Sequence, residues 1–261
     1  MSLVDRKYNA YYKKLWYIDQ ATNTGVDTTI RDLKTGDGAS GVMGMSKDAI
    51  LLQPKNSDST TMAEFKTKSG TVFGRVDSTN KKVMLGESLV AANTQYAYFG
   101  ACNSDTAGFS AGHHYALPFG PNFVGSYLSF GTGTDPDTSV TITTNAHLIT
   151  PMLWYIPDNI TISSVSWLNA ADTATGDTCR AHLVSYDIDK TNTSTGGDLS
   201  AGVVIADGSD IVNAGYEAQY WQDMTVQSAN VDAGKVCAFC FRSDTVNSDY
   251  SITATIKYYI R

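Results

Sequence analysis

The stretch of this chain that most resembles an enzyme active site is a serine flanked by glycines. The string Gly108-Phe109-Ser110-Ala111-Gly112 matches G-x-S-x-G, the pattern in which a sharp strand-to-helix turn exposes a nucleophilic serine. Such a turn needs an apolar strand before it and a helix after it. Residues 103–107 are polar, and Pro118 and Gly120 follow closely. We therefore expect a loop at Ser110 and no catalytic residue.

The cysteines are a second candidate for chemistry, as metal ligands or as a redox pair. Cys237-x-x-Cys240 has the spacing of half a zinc knuckle, in which a tight turn brings both sulfurs to one ion. This pair lies in a predicted strand, where residues three apart point to opposite faces. Cys102 and Cys179 are single. We expect reduced, structural cysteines, because the chain shows no export signal and thiols stay reduced in a cytoplasm.

Histidines and turn aspartates are the remaining candidates for a metal site. The histidines are His113, His114, His147 and His182. Two neighbouring histidines alone make a weak site. Asp135-x-Asp137 and Asp187-x-Asp189 begin like calcium ligands, but neither continues into the full series of a calcium loop, and aspartate is common in turns for its own sake. The sequence therefore predicts no metal and no cofactor.

Composition favours an all-β protein. The chain has 261 residues with 17% charged residues, 22 glycines and 15 tyrosines, which suits aromatic strands joined by glycine turns. The formal net charge of -7 argues against nucleic acid as a partner, because phosphate binding needs an excess of lysine and arginine. No apolar run is long enough for a membrane span, so we expect no membrane insertion. Because the chain shows no export signal, we expect its synthesis in a cytoplasm.

The predicted secondary structure changes near residue 92, where short polar strands give way to longer strands. Residues 21–92 read as short strands between tight turns, and residues 61–92 form a hairpin segment with very little apolar content. That content is nearly confined to Phe65, Val72, Phe73, Val76, Val83 and Leu85. A sheet this small is marginal in water unless something covers its apolar face. Identical chains are the simplest cover, so we predict a stalk whose subunit contacts are these six residues.

Residues 1–20 are aromatic and basic. Apolar side chains at helical spacing form one stripe, and the candidate anchoring residues are Tyr8, Tyr11, Tyr12, Leu15 and Trp16. Two interpretations stay open. The segment folds back on the body, or it is a peg that buries its aromatic side chains in another protein.

Residues 93–261 contain longer strands. We predict strands at 95–101, 123–130, 138–144, 147–156, 160–168, 178–187, 216–228, 235–243 and 250–260. Strand 250–260 alternates apolar and polar residues, whereas 236–241 is a continuous apolar run typical of a strand buried on both faces. Eight or more such strands indicate a β-sandwich or jelly roll.

The aromatic residues Tyr216, Tyr220 and Trp221 are candidate receptor contacts. Aromatic faces stack on sugar rings, and surface tyrosine and tryptophan favour binding. Sandwich cores and subunit interfaces use the same residue types, so this second interpretation stays open beside the first.

The order of these segments resembles tailed-bacteriophage fibre and appendage proteins with a C-terminal jelly-roll knob related to C1q and tumour-necrosis-factor domains. The segments that carry the resemblance are the hairpin around Ala63–Thr67 and Gly74–Gly86, Trp154–Ile162, and Asp232–Phe239. The resemblance implies a non-enzymatic homotrimer in the virion. It has an attachment peg at 1–20 for other virion proteins, a β stalk at 21–92, and a jelly-roll knob at 93–261.

The resemblance leaves the location on the virion open. A fibre or appendage knob contacts a host surface glycan or protein, whereas a capsid (head) decoration protein stabilises the shell without a receptor role. A glycan-active enzyme needs clustered carboxylates in a groove, and the sequence shows scattered turn aspartates instead.

Overall fold

The structure is a computed structural model, and it describes residues 16–18, 26–35, 38–103, 110–120, 128–142, 146–172, 175–189, 198–215, 217–244 and 250–261. These residues form antiparallel β-sheets with two short 3-10 turns, and none of them lies in an α-helix. No helix in these ranges is long and apolar enough to cross a membrane. The chain divides into two compact units, an N-terminal unit (Met1–Ala92) and a C-terminal unit (Asn93–Arg261).

The N-terminal unit contains two four-stranded sheets, each with its strands in chain order. The first sheet consists of β1 (Trp16–Ile18), β2 (Arg31–Thr35), β3 (Ser40–Met45) and β4 (Ile50–Leu52). The second consists of β5 (Ala63–Lys66), β6 (Val72–Asp77), β7 (Lys82–Leu85) and β8 (Val90–Ala91). Neighbours in sequence are neighbours in space, so each sheet is an antiparallel meander.

The C-terminal unit contains an eight-stranded and a five-stranded sheet. Its strands are β9 (Thr94–Asn103), β10 (His113–Ala116), β11 (Leu128–Thr132), β12 (Trp154–Tyr155), β13 (Ile160–Ala171), β14 (Thr178–Ile188), β15 (Leu199–Asp207), β16 (Ile211–Val212), β17 (Ala218–Asp223), β18 (Thr225–Val226), β19 (Asn230–Val231), β20 (Val236–Ser243) and β21 (Tyr250–Ile260). The larger sheet runs β11-β10-β20-β14-β15-β18, with β12 beside β20 and β16 beside β14. The smaller runs β17-β13-β21-β9, with β19 beside β13.

The two sheets pack face to face around one hydrophobic core, which makes the unit a β-sandwich. Strand β21 directs Ile252, Ala254 and Ile256 into this core, and its threonines point the other way, as the alternating sequence predicts. Aromatic rings join the sheets: Trp167 of β13 lies 6.0 Å from Phe241 of β20, measured between ring centroids. Such contacts bury apolar surface between the two sheets, which is the main stabilising contribution to the sandwich.

Strand β20 is buried on both faces, as its apolar run predicts. Cys237, Phe239 and Phe241 face the core between the sheets. Val236, Ala238 and Cys240 face a second core on the outer side of the larger sheet. Part of that second core comes from outside the strands, from Val140, Ile142, Ile149 and Met152.

Several elements differ from the sequence prediction. Residues 147–156 contain two 3-10 turns (Ala146–Leu148 and Thr150–Met152) and only the short β12, because Pro151 interrupts strand pairing. In the described part of 138–144, only Val140 makes a β-bridge. Strands β10 and β15 were not predicted: β10 is four residues long and begins with two histidines, and β15 contains Gly202.

The packing predicts that alanine substitution of two leucines in the sandwich will lower the stability by very different amounts. Leu183 is fully buried in the core, whereas Leu168 lies on the outer face of the smaller sheet. We expect Leu183→Ala to lower the free energy of unfolding by about 3 kcal/mol, because it leaves a cavity. Leu168→Ala is expected to cost less than about 1 kcal/mol. Denaturant unfolding of the full chain, followed by circular dichroism, measures both, and equal losses would contradict the described packing.

Candidate functional site

The second sheet of the N-terminal unit has one apolar face, which we call the Phe65 face. Strand register places six side chains on it: Ala63, Phe65, Val76, Val83, Leu85 and Val90. Phe65 is 51% exposed, and Val83 and Leu85 are exposed to a similar extent. Four of the six predicted stalk contacts therefore share one surface, which the single chain leaves in water.

A glycine gives Phe65 its position. Phe65 pairs with Gly74 on the next strand, and a Cβ at position 74 would lie 2.9 Å from Cδ2 of Phe65. Phe73 lies at the irregularity between the Phe65 and Lys66 pairs, with its ring centroid 6.3 Å from that of Phe65. The register places Val72 opposite Lys66, so the predicted contact Val72 lies on the other side of the sheet.

The opposite face of this sheet is charged. Glu64 accepts from Arg75 Nη2 at 3.0 Å, and its other oxygen lies 2.7 Å from Lys66 Nζ. The hydrogen bond from Lys66, followed by that from Arg75, holds the pKa of Glu64 below its usual value. The sheet thus has a face suited to water and a face suited to burial.

Within the described part of the N-terminal unit, no hydrophobic side chain is buried. The first sheet exposes Ile50 to 71%, together with Val42, Met43 and Leu52. The buried side chains of this part are polar, those of Ser46 and Asp77. A sheet that buries so little apolar surface lacks the main driving force for folding alone.

The predicted N-terminal anchor lies mostly outside the described residues. Tyr8, Tyr11, Tyr12 and Leu15 belong to that part of the chain. Trp16 begins β1 and pairs through its backbone with Thr35, so residues 16–18 form a strand rather than the helix that the spacing favours. The anchoring role of these five residues stays a prediction.

The candidate receptor residues that the structure describes, Tyr220 and Trp221, differ in how they are exposed. Tyr216 lies outside the described residues. The hydroxyl of Tyr220 accepts from the Ala214 N–H at 2.7 Å and donates to Asn213 Oδ1, so it holds a neighbouring loop. Trp221 points outward and is 64% exposed. Of the candidates within the described residues, Trp221 is the one that presents its ring to a partner.

Trp221 belongs to a larger surface, which we call the Trp221 face. It is the outer face of the five-stranded sheet, and its exposed large side chains are Tyr96, Tyr98, Leu168 and Trp221. Leu168 is the cross-strand partner of Trp221. The residues of β13 and β21 on this face include small polar ones, such as Ser166, Thr253 and Thr255.

The described part of the serine string, Ser110–Gly112, leads into a strand. Ser110 is exposed, and its N–H donates to the Tyr115 hydroxyl at 2.9 Å. A turn and then strand β10 follow it, whereas an elbow requires a helix. His113 Nδ1 lies 3.2 Å from Ser129 Oγ. The loop that the sequence predicts here fits this geometry.

The cysteines do not converge on a common point. Cys237 and Cys240 face the two different cores on opposite sides of β20, as the strand prediction requires. Burial raises the pKa of both thiols, that of Cys237 to about 12, and burial also raises the pKa of Cys179 to about 12. Thiols in such surroundings are unreactive.

A polar cluster that the sequence did not predict lies on the outer side of the larger sheet. We call it the histidine–aspartate cluster, and its members are His114 on β10, His182 on β14, Asp207 at the end of β15, and Asp135 after β11. Nε2 of His182 lies 3.0 Å from Asp207 Oδ1 and 3.2 Å from Asp135 Oδ1. The His114 ring packs edge-on against His182 at 5.0 Å between centroids.

The loop that carries Asp135 is held from several sides. Gly131 has φ +95°, and a Cβ there would overlap the side chain of Asp137. The Asp137 N–H donates to the Phe130 carbonyl at 2.9 Å, and Tyr186 donates to the Asp137 carbonyl at 2.8 Å. Pro136 is buried between them. These contacts fix the turn that directs Asp135 toward His182.

The surroundings keep both histidines neutral. Burial lowers the pKa of His114 to about 3, with the neighbouring His182 and Arg242 acting in the same direction. Burial also lowers the pKa of His182, while Asp207 and Asp135 act to raise it. Neutral imidazole is the form that binds metal ions.

Sequence analysis missed this cluster because its members come from four separate segments. His113 and His114 attract attention as a pair, but strand alternation sends them to opposite faces. In the second aspartate pair of the sequence, Asp187-x-Asp189, the Asp187 carboxylate forms an ion pair with Lys235 Nζ at 2.6 Å. The one available signal was a buried-strand pattern with a histidine inside it, at His182.

The cysteine burial predicts the thiol chemistry of the native protein. Cys102 is exposed, and the other three cysteines are buried. We expect at most one thiol per chain to react quickly with an aromatic disulfide reagent in the native state, and all four after unfolding, because burial blocks access and disfavours the thiolate. Absorbance of the released thiolate counts them. Rapid reaction of two or more native thiols would contradict the burial of Cys237 and Cys240.

No family model matches the chain, and no curated protein is similar to it at a significant level. Its function is therefore inferred from the Phe65 face, the Trp221 face and the histidine–aspartate cluster themselves.

Proposed function

We propose that this protein is a non-enzymatic, homotrimeric appendage of a tailed-bacteriophage virion. In this proposal the N-terminal unit is a stalk and the C-terminal unit is a jelly-roll knob that contacts the host surface. The observation that carries it is the Phe65 face, an apolar sheet surface in a unit whose described residues bury no hydrophobic side chain.

The partner that best suits the Phe65 face is another copy of the same chain. A second and third copy are present wherever the first is, and closed rotational symmetry brings the same face of each copy to one axis. With Phe65, Val83 and Leu85 turned inward, the Glu64–Arg75 pair of each chain stays in water. The stalk would then be stable only as an assembly.

The sandwich supports the knob assignment. Two antiparallel sheets with strand neighbours that are distant in sequence, such as β10 beside β20, are typical of jelly rolls. We assign it to the jelly-roll class that the C1q and tumour-necrosis-factor domains share. Tyr8, Tyr11, Tyr12, Leu15 and Trp16 remain the proposed anchor to other virion proteins.

Trp221 is the proposed centre of host contact, with Tyr216 and Tyr220 beside it in sequence. Its exposed ring and its neighbour Leu168 form an amphipathic surface of the kind that binds glycans or protein loops. Three copies on one stalk would multiply a weak contact through effective concentration.

A second candidate function is capsid decoration, in which the same stalk and knob stabilise the shell without touching a receptor. The observation that favours it is the shortness of the stalk. Each described stalk sheet has strands of at most six residues. The two functions differ in whether changes on the Trp221 face affect adsorption.

The Phe65 face predicts that one substitution dissociates the protein. We expect the full chain to sediment and scatter light as three chain masses of 28.1 kDa each. Phe65→Asp should yield monomers at micromolar concentration, because it places a charge in the apolar contact. Thr71→Asp introduces the same side chain at an exposed turn position and should leave the trimer intact. A wild-type chain that is monomeric at this concentration would overturn the stalk proposal.

The Trp221 face predicts an adsorption defect. Virions that carry Trp221→Ala should adsorb to host cells several-fold more slowly, because an interface centre loses its aromatic anchor. Tyr155→Ala removes another exposed aromatic ring, on β12, and should leave adsorption unchanged. Adsorption is measured as loss of free infectious particles with time. Normal adsorption of the Trp221→Ala virions, together with reduced shell stability when the protein is absent, would favour decoration instead.

A further inference from the structure

The histidine–aspartate cluster has no part in the stalk or in host contact, and its geometry points to a metal ion. We propose that His182 Nε2, Asp135 Oδ1 and Asp207 Oδ1 form a binding site for a divalent transition metal of the zinc class. The inference stands independently of the appendage function.

The separations between the ligand atoms fit a small coordination shell. Nε2 of His182 lies 3.0 Å from one carboxylate oxygen and 3.2 Å from the other, and all three ligand atoms lie within 4.8 Å of one another. Ligands that are about 2.0–2.1 Å from a tetrahedral zinc ion are roughly 3.3 Å apart, by simple geometry. Three protein ligands leave the fourth position for water.

The histidine is buried and lacks its ordinary partners. The His182 side chain is 0% exposed. Within the described residues, neither of its ring nitrogens has a hydrogen-bond partner, and neither does Oδ1 of Asp207. The two carboxylate oxygens lie at ion-pair distance from Nε2, and neither makes a well-aligned hydrogen bond with it. Buried polar atoms are nearly always satisfied, so this convergence indicates a group that accepts all three lone pairs.

Charge supports a cation at this point. Asp135 and Asp207 bring two negative charges to one imidazole nitrogen. The nearest cationic side chains are engaged elsewhere: Arg180 Nε donates to Asp210 at 2.7 Å, and Arg242 Nη2 lies 2.8 Å from Asp244 Oδ1. Arg180 attracts Asp207 and Asp135 through longer-range Coulomb interaction, while its ion pair is with Asp210, and a divalent ion between the two carboxylates would balance their charge directly.

The donor set selects among metals. One imidazole with two carboxylates suits zinc, cobalt or a similar ion, whereas calcium takes six to eight oxygen ligands. The site would connect three elements, since His182 and Asp207 lie on β14 and β15 and Asp135 lies on the loop after β11. Its role would be to fasten that loop to the outer side of the larger sheet.

Cobalt substitution tests the site in the full chain. Protein stripped with a chelator is titrated with Co²⁺, and the visible d–d bands report low-coordinate cobalt. Zn²⁺ is then added to displace it. We expect one Co²⁺ per chain and a thermal midpoint that rises with Zn²⁺ concentration, because the ion binds only the folded state.

Variants locate the ligands. Asp135→Asn, on a loop where this side chain is 58% exposed, should weaken Co²⁺ binding at least about tenfold without unfolding the protein, since even residues that only hydrogen-bond to metal ligands contribute about 10–100-fold. His182→Gln should abolish binding. Asp158→Asn and His147→Gln, which change an exposed aspartate and a histidine outside the site, should bind as the unchanged protein does.

Two results would overturn the proposal. One is a stripped protein that binds no Co²⁺, which would make the cluster a buried histidine with two carboxylates and no ion. The other is Asp135→Asn binding with the affinity of the two control variants, which would place any bound metal elsewhere. If His182→Gln fails to fold, Asp135→Asn still decides between these outcomes.

Discussion

The uneven distribution of buried apolar surface is the constraint on which the rest of this structure depends. Among the described residues, every buried hydrophobic side chain lies at or beyond Ala97, and the N-terminal unit contributes none. Hydrogen bonding alone gives small net stability, because water competes for the same groups. The sandwich thus holds the buried apolar side chains of the described residues, and the two meander sheets lack them.

The sandwich in turn works as a rigid base for two different surfaces. Strand β20 fixes the larger sheet from both sides, because its side chains enter two separate cores. The smaller sheet carries the Trp221 face outward, and the larger sheet carries the histidine–aspartate cluster on its own outer side. Both surfaces are built on long paired strands, which position side chains more accurately than loops do. Asp135 is the exception, and Gly131, Pro136 and Tyr186 compensate by fixing its loop.

Sequence reasoning was most successful where local pattern and burial coincide. The alternation of 250–260 and the apolar run of 236–241 both describe how a strand meets a core, so they identified β21 and β20. It was unsuccessful for His113–Ala116, a short strand whose two histidines are not typical strand residues. It was also unsuccessful for residues 147–156, where Pro151 interrupts an apolar stretch that forms turns. The histidine–aspartate cluster was beyond reach, because it depends on β14 pairing with β15 on one side and β20 on the other. Pairing between distant strands leaves no spacing signal in a single sequence.

The two-sided character of the second meander sheet also bears on how the chain is made. Residues 63–91 leave the ribosome before the sandwich does. Strands with an exposed apolar face are therefore present in the nascent chain while the rest of it is still being synthesised. Glu64, Lys66 and Arg75 alternate with the apolar residues, and such charges discourage premature edge-to-edge pairing. The same ion pairs that leave one face in water would thus help to keep these strands soluble until the rest of the chain is complete.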